Sequence, residues 1–162
     1  MKLILSDLKD FRPAVSGENL VIGNNGKIRN CIGCFCCWVK TPGKCVISDG
    51  YEEMGRHLSQ CTELIIVSRC VYGSVSPFVK NVMDRAISYI HPKFCYRNGE
   101  MHHRRRYDNI IKLTAYFYGE AVTEAEKETA RKLIRAIAVN YDGEVGQIVF
   151  LNNEDELRGL AL

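Results

Sequence analysis

Long apolar runs are missing from this 162-residue chain: no stretch approaches the roughly 20 residues that a membrane-spanning helix needs. The apolar opening is broken at Asp7 and is too short for a secretory leader, so a cytoplasmic protein is expected. A charge of one sign is missing too. Twenty-two Lys and Arg stand against 19 Asp and Glu, a net charge of +3, and neither nucleic acid nor an acidic membrane surface is expected as a partner. No internal repeat and no linker is visible, which leaves one domain over residues 1–162. No Ser-His-Asp set and no paired carboxylates suggest hydrolysis.

What the chain does have is cysteine. There are 8, and Cys31, Cys34, Cys36, Cys37 and Cys45 fall within one short segment. A chain long enough for a buried core does not need disulfide staples, and in a reducing compartment such a density reads as metal binding or thiol chemistry. Cys31, Cys34, Cys37 and Cys45 are spaced C-x2-C-x2-C-x7-C, with Cys36 to spare. Four thiolates on a tight loop can hold an iron–sulfur cluster or a tetrahedral zinc. The same residues also read as a reactive dithiol or as small buried side chains. Trp38 beside them either shields such a site or packs.

The rest of the chain alternates short apolar runs with amphipathic segments. Strands are expected at residues 2–6, 19–23, 63–68, 110–118 and 147–151. Helices are expected at 51–61, capped by Ser48 or Asp49, and from Pro77 onward with Phe78, Val82, Met83, Ala86 and Ile90 on one face. A third follows the capping box Thr123-Glu124-Ala125-Glu126. Leu64-Ile65-Ile66-Val67 is a continuous apolar run, as in a strand covered on both faces. Residues 91–108 have no period and read as a surface excursion. Their basic run His102 to Arg106 suits a phosphate or nucleic acid less well than it suits a solvated face or an acidic partner surface. Residues 152–162 read as a short helix or a frayed tail. The order predicts an α/β fold: a doubly wound parallel sheet in three layers, α/β/α.

In such sheets ligands bind beyond the carboxyl ends of the strands, where strand order reverses. Three segments leave strands at that edge: the cysteine segment, residues 69–77 and residues 118–123. In the second, Tyr72-Gly73-Ser74 lets a flat ligand approach backbone closely, and the helix opening at Pro77 presents free N–H groups. An ordinary βα loop would look similar.

Residues 31–85 resemble the NADPH-dependent FMN reductase branch of the flavodoxin-like proteins, and within it the iron–sulfur flavoproteins. The likeness is carried by the four spaced cysteines, Ser48-Asp49-Gly50, the run Leu64 to Val67, then Cys70-Val71-Tyr72-Gly73-Ser74-Val75-Ser76-Pro77-Phe78-Val79-Lys80 and Asp84-Arg85. The resemblance implies FMN held through Cys70, Val71, Tyr72, Gly73, Ser74, Ser76, Tyr118 and Gly119. It implies a [4Fe–4S] cluster on Cys31, Cys34, Cys37 and Cys45, and NAD(P)H or a protein as electron donor. It further implies a small-molecule or protein acceptor and a homo-oligomer. The expected function is an FMN-dependent oxidoreductase or electron-transfer flavoprotein. The alternative is a flavin-free, cysteine-rich metal-binding or redox-responsive module on the same scaffold. The chain departs from the family at its start. Residues 8–18 are too few for a phosphate-cradling loop and a crossover helix, and Asp7 and Asp10 would repel phosphate. Asp84 and Arg85, adjacent on a helix, read as structural, and His57 reads as core.

Overall fold

Five short apolar segments pair side by side into one parallel sheet in the computed structural model, which describes residues 1–158, 160 and 162. They are β1 (Lys2–Ser6), β2 (Asn19–Ile22), β3 (Glu63–Arg69), β6 (Lys112–Tyr118) and β7 (Glu144–Leu151), in the order β2-β1-β3-β6-β7. β1 and β3 lie inside the sheet and are covered on both faces, which is why Leu3, Ile4 and Leu5, and Leu64 through Val67, are all apolar and buried. The chain steps from β1 to β2 on one side and to β3, β6 and β7 on the other. Strand order therefore reverses between β1 and β3, as in the flavodoxin-like arrangement.

Alternate side chains feed two cores. Leu3, Leu5, Leu64, Ile66, Leu113, Ala115 and Phe117 face α2 (Met54–Gln60), α3 (Pro77–Arg85) and α4 (Glu124–Asn140). Ser76 caps α3 by accepting from the Val79 N–H, with Pro77 in its first turn. Thr123 and Glu126 form the complete capping box of α4. The opposite face is thinner than a full third layer. There Ile4, Ile65 and Val67 meet Leu157 of α5 (Asp155–Arg158), Leu162, and the partly buried Leu8, Phe11 and Val15. Residues 7–18 pass from β1 to β2 without a helix, because the path is too short to hold one. Of the expected tail, Gly159 and Ala161 lie outside the described residues.

Residues 90–105 are ordered where an irregular excursion was expected. They form an antiparallel hairpin of β4 (Ile90–Arg97) and β5 (Glu100–Arg105), preceded by a 3₁₀ turn at Ile87–Tyr89. Asn98 and Gly99 make the turn with φ of 51° and 84°, the doubly left-handed geometry that a two-residue hairpin loop demands. The basic run thus lies on a strand as far as Arg105. Arg105 of that run bonds Asp142 at 2.9 Å, and Arg97 pairs with the same carboxylate. Among the described residues, no helix is long and apolar enough to cross a membrane.

Candidate functional site

The cysteine segment leaves β2 and passes over the helical face of the sheet. Left-handed backbone at Gly33 (φ 64°) and Phe35 (φ 55°) bends it sharply into the one-turn helix α1 (Cys36–Val39). Cys31, Cys34, Cys37 and Cys45 thereby line a single cavity of about 640 Å³, and Cys36 does not. Cys31 and Cys34 are exposed at its mouth, Cys37 is buried and Cys45 is half-buried. Met83, Asp84 and Arg85 of α3, Leu133 and Ile137 of α4, and Ile90 and His103 of the hairpin complete the walls.

The spare Cys36 donates from its N–H and its thiol to Cys34, which holds the Cys34 thiol below its usual range. Burial, with the neighbouring Cys45, Cys31 and Cys34, pushes the Cys37 thiol up. Trp38 packs the loop down. Its indole N–H donates to the carbonyls of Ile90 (3.0 Å) and Ile87 (3.3 Å), and its ring stacks on Phe35 and lies beside His103.

Arg85 holds the loop from below. Its side chain is fully buried, and its guanidinium grips Asp49 with two bonds of 2.8 and 3.1 Å. Those bonds, aided by the N–H groups of Arg29 and Tyr51, hold the Asp49 carboxyl at about 2 against the opposing effect of burial. Asp49 is therefore not the helix cap expected of it. α2 starts later, at Met54, because the carboxylate is taken up by Arg85.

The donor set fits an iron–sulfur cluster. Four thiols share one largely apolar cavity, and the fifth cysteine of the segment stays out of it. Among the described residues, no group of three or more Cys, His, Asp or Glu side chains is arranged to hold a metal ion.

The second set of predicted residues lies at the ends of β3 and β6. Val71 and Ser74 bond each other twice at 2.9 Å, so that Tyr72 (φ 51°) and Gly73 (φ 77°) form the tip of a tight turn. Tyr72 is 89% exposed. Gly73 is pressed onto α4, where an added Cβ would sit 2.6 Å from Cβ of Thr129 and 2.8 Å from the Glu126 carbonyl oxygen. The Cys70 N–H bonds the Tyr118 carbonyl at 2.8 Å, the Gly119 N–H bonds that of Leu151, and the Ser76 N–H bonds Oγ of Ser68. None of Cys70, Val71, Tyr72, Gly73, Ser74, Ser76, Tyr118 and Gly119 lines the cysteine cavity, although Val75 between them does.

At the reversal point itself stands a carboxylate. Asp7 accepts from the Arg69 N–H and from the Tyr118 hydroxyl, each at 3.0 Å. The phosphate of an FMN does not fit a helix-free connection headed by an acid.

No family model matches the chain. It is distantly similar to archaeal iron–sulfur flavoproteins. One from Methanocaldococcus jannaschii is 35% identical over 60 residues, which are 37% of this chain and 30% of that protein. One from Archaeoglobus fulgidus is 29% identical over 90 residues, 56% of this chain and 40% of that protein. The chain thus spans 30% and 40% of the length of these two relatives. Its five-stranded parallel α/β sheet is consistent with the flavodoxin-like fold.

Proposed function

We propose that this chain is a redox protein that passes electrons through an iron–sulfur cluster held by Cys31, Cys34, Cys37 and Cys45. The observation that carries the reading is the shared cavity, which takes in these four of the five clustered cysteines. The names of the two relatives point the same way. Bound there, a cluster supplies one-electron transfer at a potential set by its surroundings. The chain's own part is to hold and enclose. Phe35 and the apolar side chains Met83 of α3 and Leu133 and Ile137 of α4 form walls of the cavity. Exposed Cys31 and Cys34 leave an open edge at which a partner can exchange electrons. A small molecule or another protein serves as donor and acceptor, with NAD(P)H one donor class, and the chain works as a homo-oligomer.

A second reading adds a flavin and makes the chain an FMN-linked oxidoreductase. It is favoured by the exposed Tyr72 turn at the carboxyl edge and by the word flavoprotein in the names of both relatives. Against it stands Asp7, where the phosphate would have to be held.

Purification without oxygen, followed by a visible spectrum and assays of iron, acid-labile sulfide and flavin, separates these readings. A broad brown absorbance with iron and sulfide and no flavin is the expected result. A two-banded yellow spectrum releasing FMN on denaturation establishes the second reading. A colourless protein that iron and sulfide cannot reconstitute overturns the first.

A further inference from the structure

Arg85 uses every donor it has, and all of the acceptors lie on the cysteine segment or its flanks. A guanidinium carries five N–H bonds in a rigid planar fork. Here Nη1 donates to the Arg29 carbonyl at 2.9 Å and to Asp49 Oδ2 at 2.8 Å. Nη2 donates to the Ile47 carbonyl at 2.8 Å and to Asp49 Oδ1 at 3.1 Å. The fifth donor, Nε–H, points at Sγ of Cys45, 3.1 Å away. Arg29 precedes Cys31, and Ile47 and Asp49 follow Cys45. One buried side chain therefore ties both ends of the cysteine loop to α3 and still addresses a sulfur directly.

We propose that Arg85 is a positioning residue for the cysteine site that also raises its reduction potential, through the Nε–H bond to the Cys45 sulfur. The inference rests on the iron–sulfur reading above. Reduction adds an electron whose charge spreads onto the cysteine sulfurs, and a hydrogen bond to a sulfur stabilises that extra charge. The effect is local to the one bond. The two-pronged pair with Asp49 neutralises the arginine's charge, so what the sulfur meets is mainly an N–H dipole aimed from a fully buried side chain, where such a bond is strengthened. Lysine cannot replace it. Its ammonium is a point donor without the fork, and it cannot hold Asp49 with two parallel bonds while a third donor reaches Cys45.

The test is a redox titration of the reduced-state electron paramagnetic resonance signal in the wild type, Arg85→Lys and Asp49→Asn. Arg85→Lys should bind less iron per chain, as loss of the positioning role requires, and the loaded fraction should titrate at a more negative potential. Asp49→Asn keeps the Nε–H donor but leaves the buried guanidinium's charge uncompensated, so it should lose thermal stability and titrate at a more positive potential, opposite to Arg85→Lys. An unchanged potential in the loaded fraction of Arg85→Lys overturns the tuning role, and unchanged iron content overturns the positioning role. Should Arg85→Lys not fold, the wild type labelled with ¹⁵N-arginine decides by pulsed resonance on the reduced cluster. A resolved coupling to an arginine nitrogen supports the bond, and its absence overturns it. A wild type that takes up no iron or sulfide overturns the iron–sulfur reading itself, and this inference with it. That result is distinct from a loaded protein whose potential ignores Arg85.

Discussion

The hydroxyl of Tyr118, at the end of β6, donates to the Asp7 carboxylate at the end of β1, reaching past the intervening β3. The other Asp7 oxygen accepts from the Arg69 N–H at the end of β3, so one carboxylate stitches three strand ends together. Burial, with that carboxylate beside it, pushes the Tyr118 phenol well above its ordinary value, and the hydroxyl keeps its proton as donor.

That arrangement predicts how the chain discriminates among flavins. A phosphate held by charge-assisted bonds is worth about 1.5–3 kcal/mol for each bond, so a real phosphate site separates FMN from riboflavin by at least about tenfold. Here a negative group already occupies the place. Fluorescence titrations should find the dissociation constants of riboflavin and FMN within about threefold of each other. A preference for FMN beyond about tenfold would show that another part of the molecule holds the phosphate.

Gly73 offers a test of the neighbouring loop. Its φ of 77° disfavours any side chain, and a Cβ would be driven into Thr129 and the Glu126 carbonyl of α4. Gly26 has a similar φ of 72° with open space around it. Gly26→Ala should then cost about 1 kcal/mol of unfolding free energy for backbone strain alone. Gly73→Ala should cost about 2–4 kcal/mol, because overpacking against helix backbone adds to the strain. Equal losses in urea denaturation would mean that the turn is free to move off α4.

The two kinds of residue in the site differ in how visible they are along the chain. The four cavity cysteines stand close together, and their x2-x2-x7 spacing marks them as a group before any fold is known. Arg85 and Asp49 are 36 positions apart, and no local period connects them. Asp49 in fact carries a misleading local signal, since Ser48-Asp49 before an apolar stretch looks like a helix cap. The central strands were legible because burial on both faces makes them continuously apolar. The β4–β5 hairpin was not. β5 is mostly charged and imidazole side chains, and the mark of its turn, Asn98-Gly99, sits between two segments with no apolar rhythm.

The Arg85–Asp49 pair also predicts an acid sensitivity. The Asp49 carboxyl is held at about 2 in the folded chain, against an ordinary value of 3.8. A depressed folded value means that its stabilisation is complete above about pH 4 and is lost as pH falls through about 2. The difference corresponds to about 2 kcal/mol, and the side chain is only 4% exposed, so little of it is screened. Asp49→Asn should be destabilised by about 3–5 kcal/mol at pH 5, because it leaves a buried guanidinium without its counter-charge. The gap to the wild type should narrow by about 2 kcal/mol on going to pH 2, measured by urea unfolding. A gap that stays constant with pH would mean that the carboxylate's charge is not what holds the pair.

The sharpest division within the cysteine segment is between Cys36 and its neighbours. Cys37 is only one position further along the chain, yet Cys37 is buried and lines the cavity while Cys36 does not. A one-residue step on the helix α1 turns the side chain by about 100°, so adjacent cysteines there cannot serve the same cavity. Serine replacement should follow that geometry. Cys31→Ser, Cys34→Ser, Cys37→Ser and Cys45→Ser should each lose most of the bound iron, since an alcohol is a poor ligand where a thiolate is required. Cys36→Ser should keep its iron, because the serine hydroxyl and the unchanged N–H can still donate to the Cys34 sulfur. Iron and sulfide assays on anaerobically reconstituted variants read the outcome. Loss of iron in Cys36→Ser with retention in Cys34→Ser would exchange the two roles and place the ligand set one side chain away from the cavity. Retention in all five would remove the cysteines from metal binding altogether and leave them as thiols.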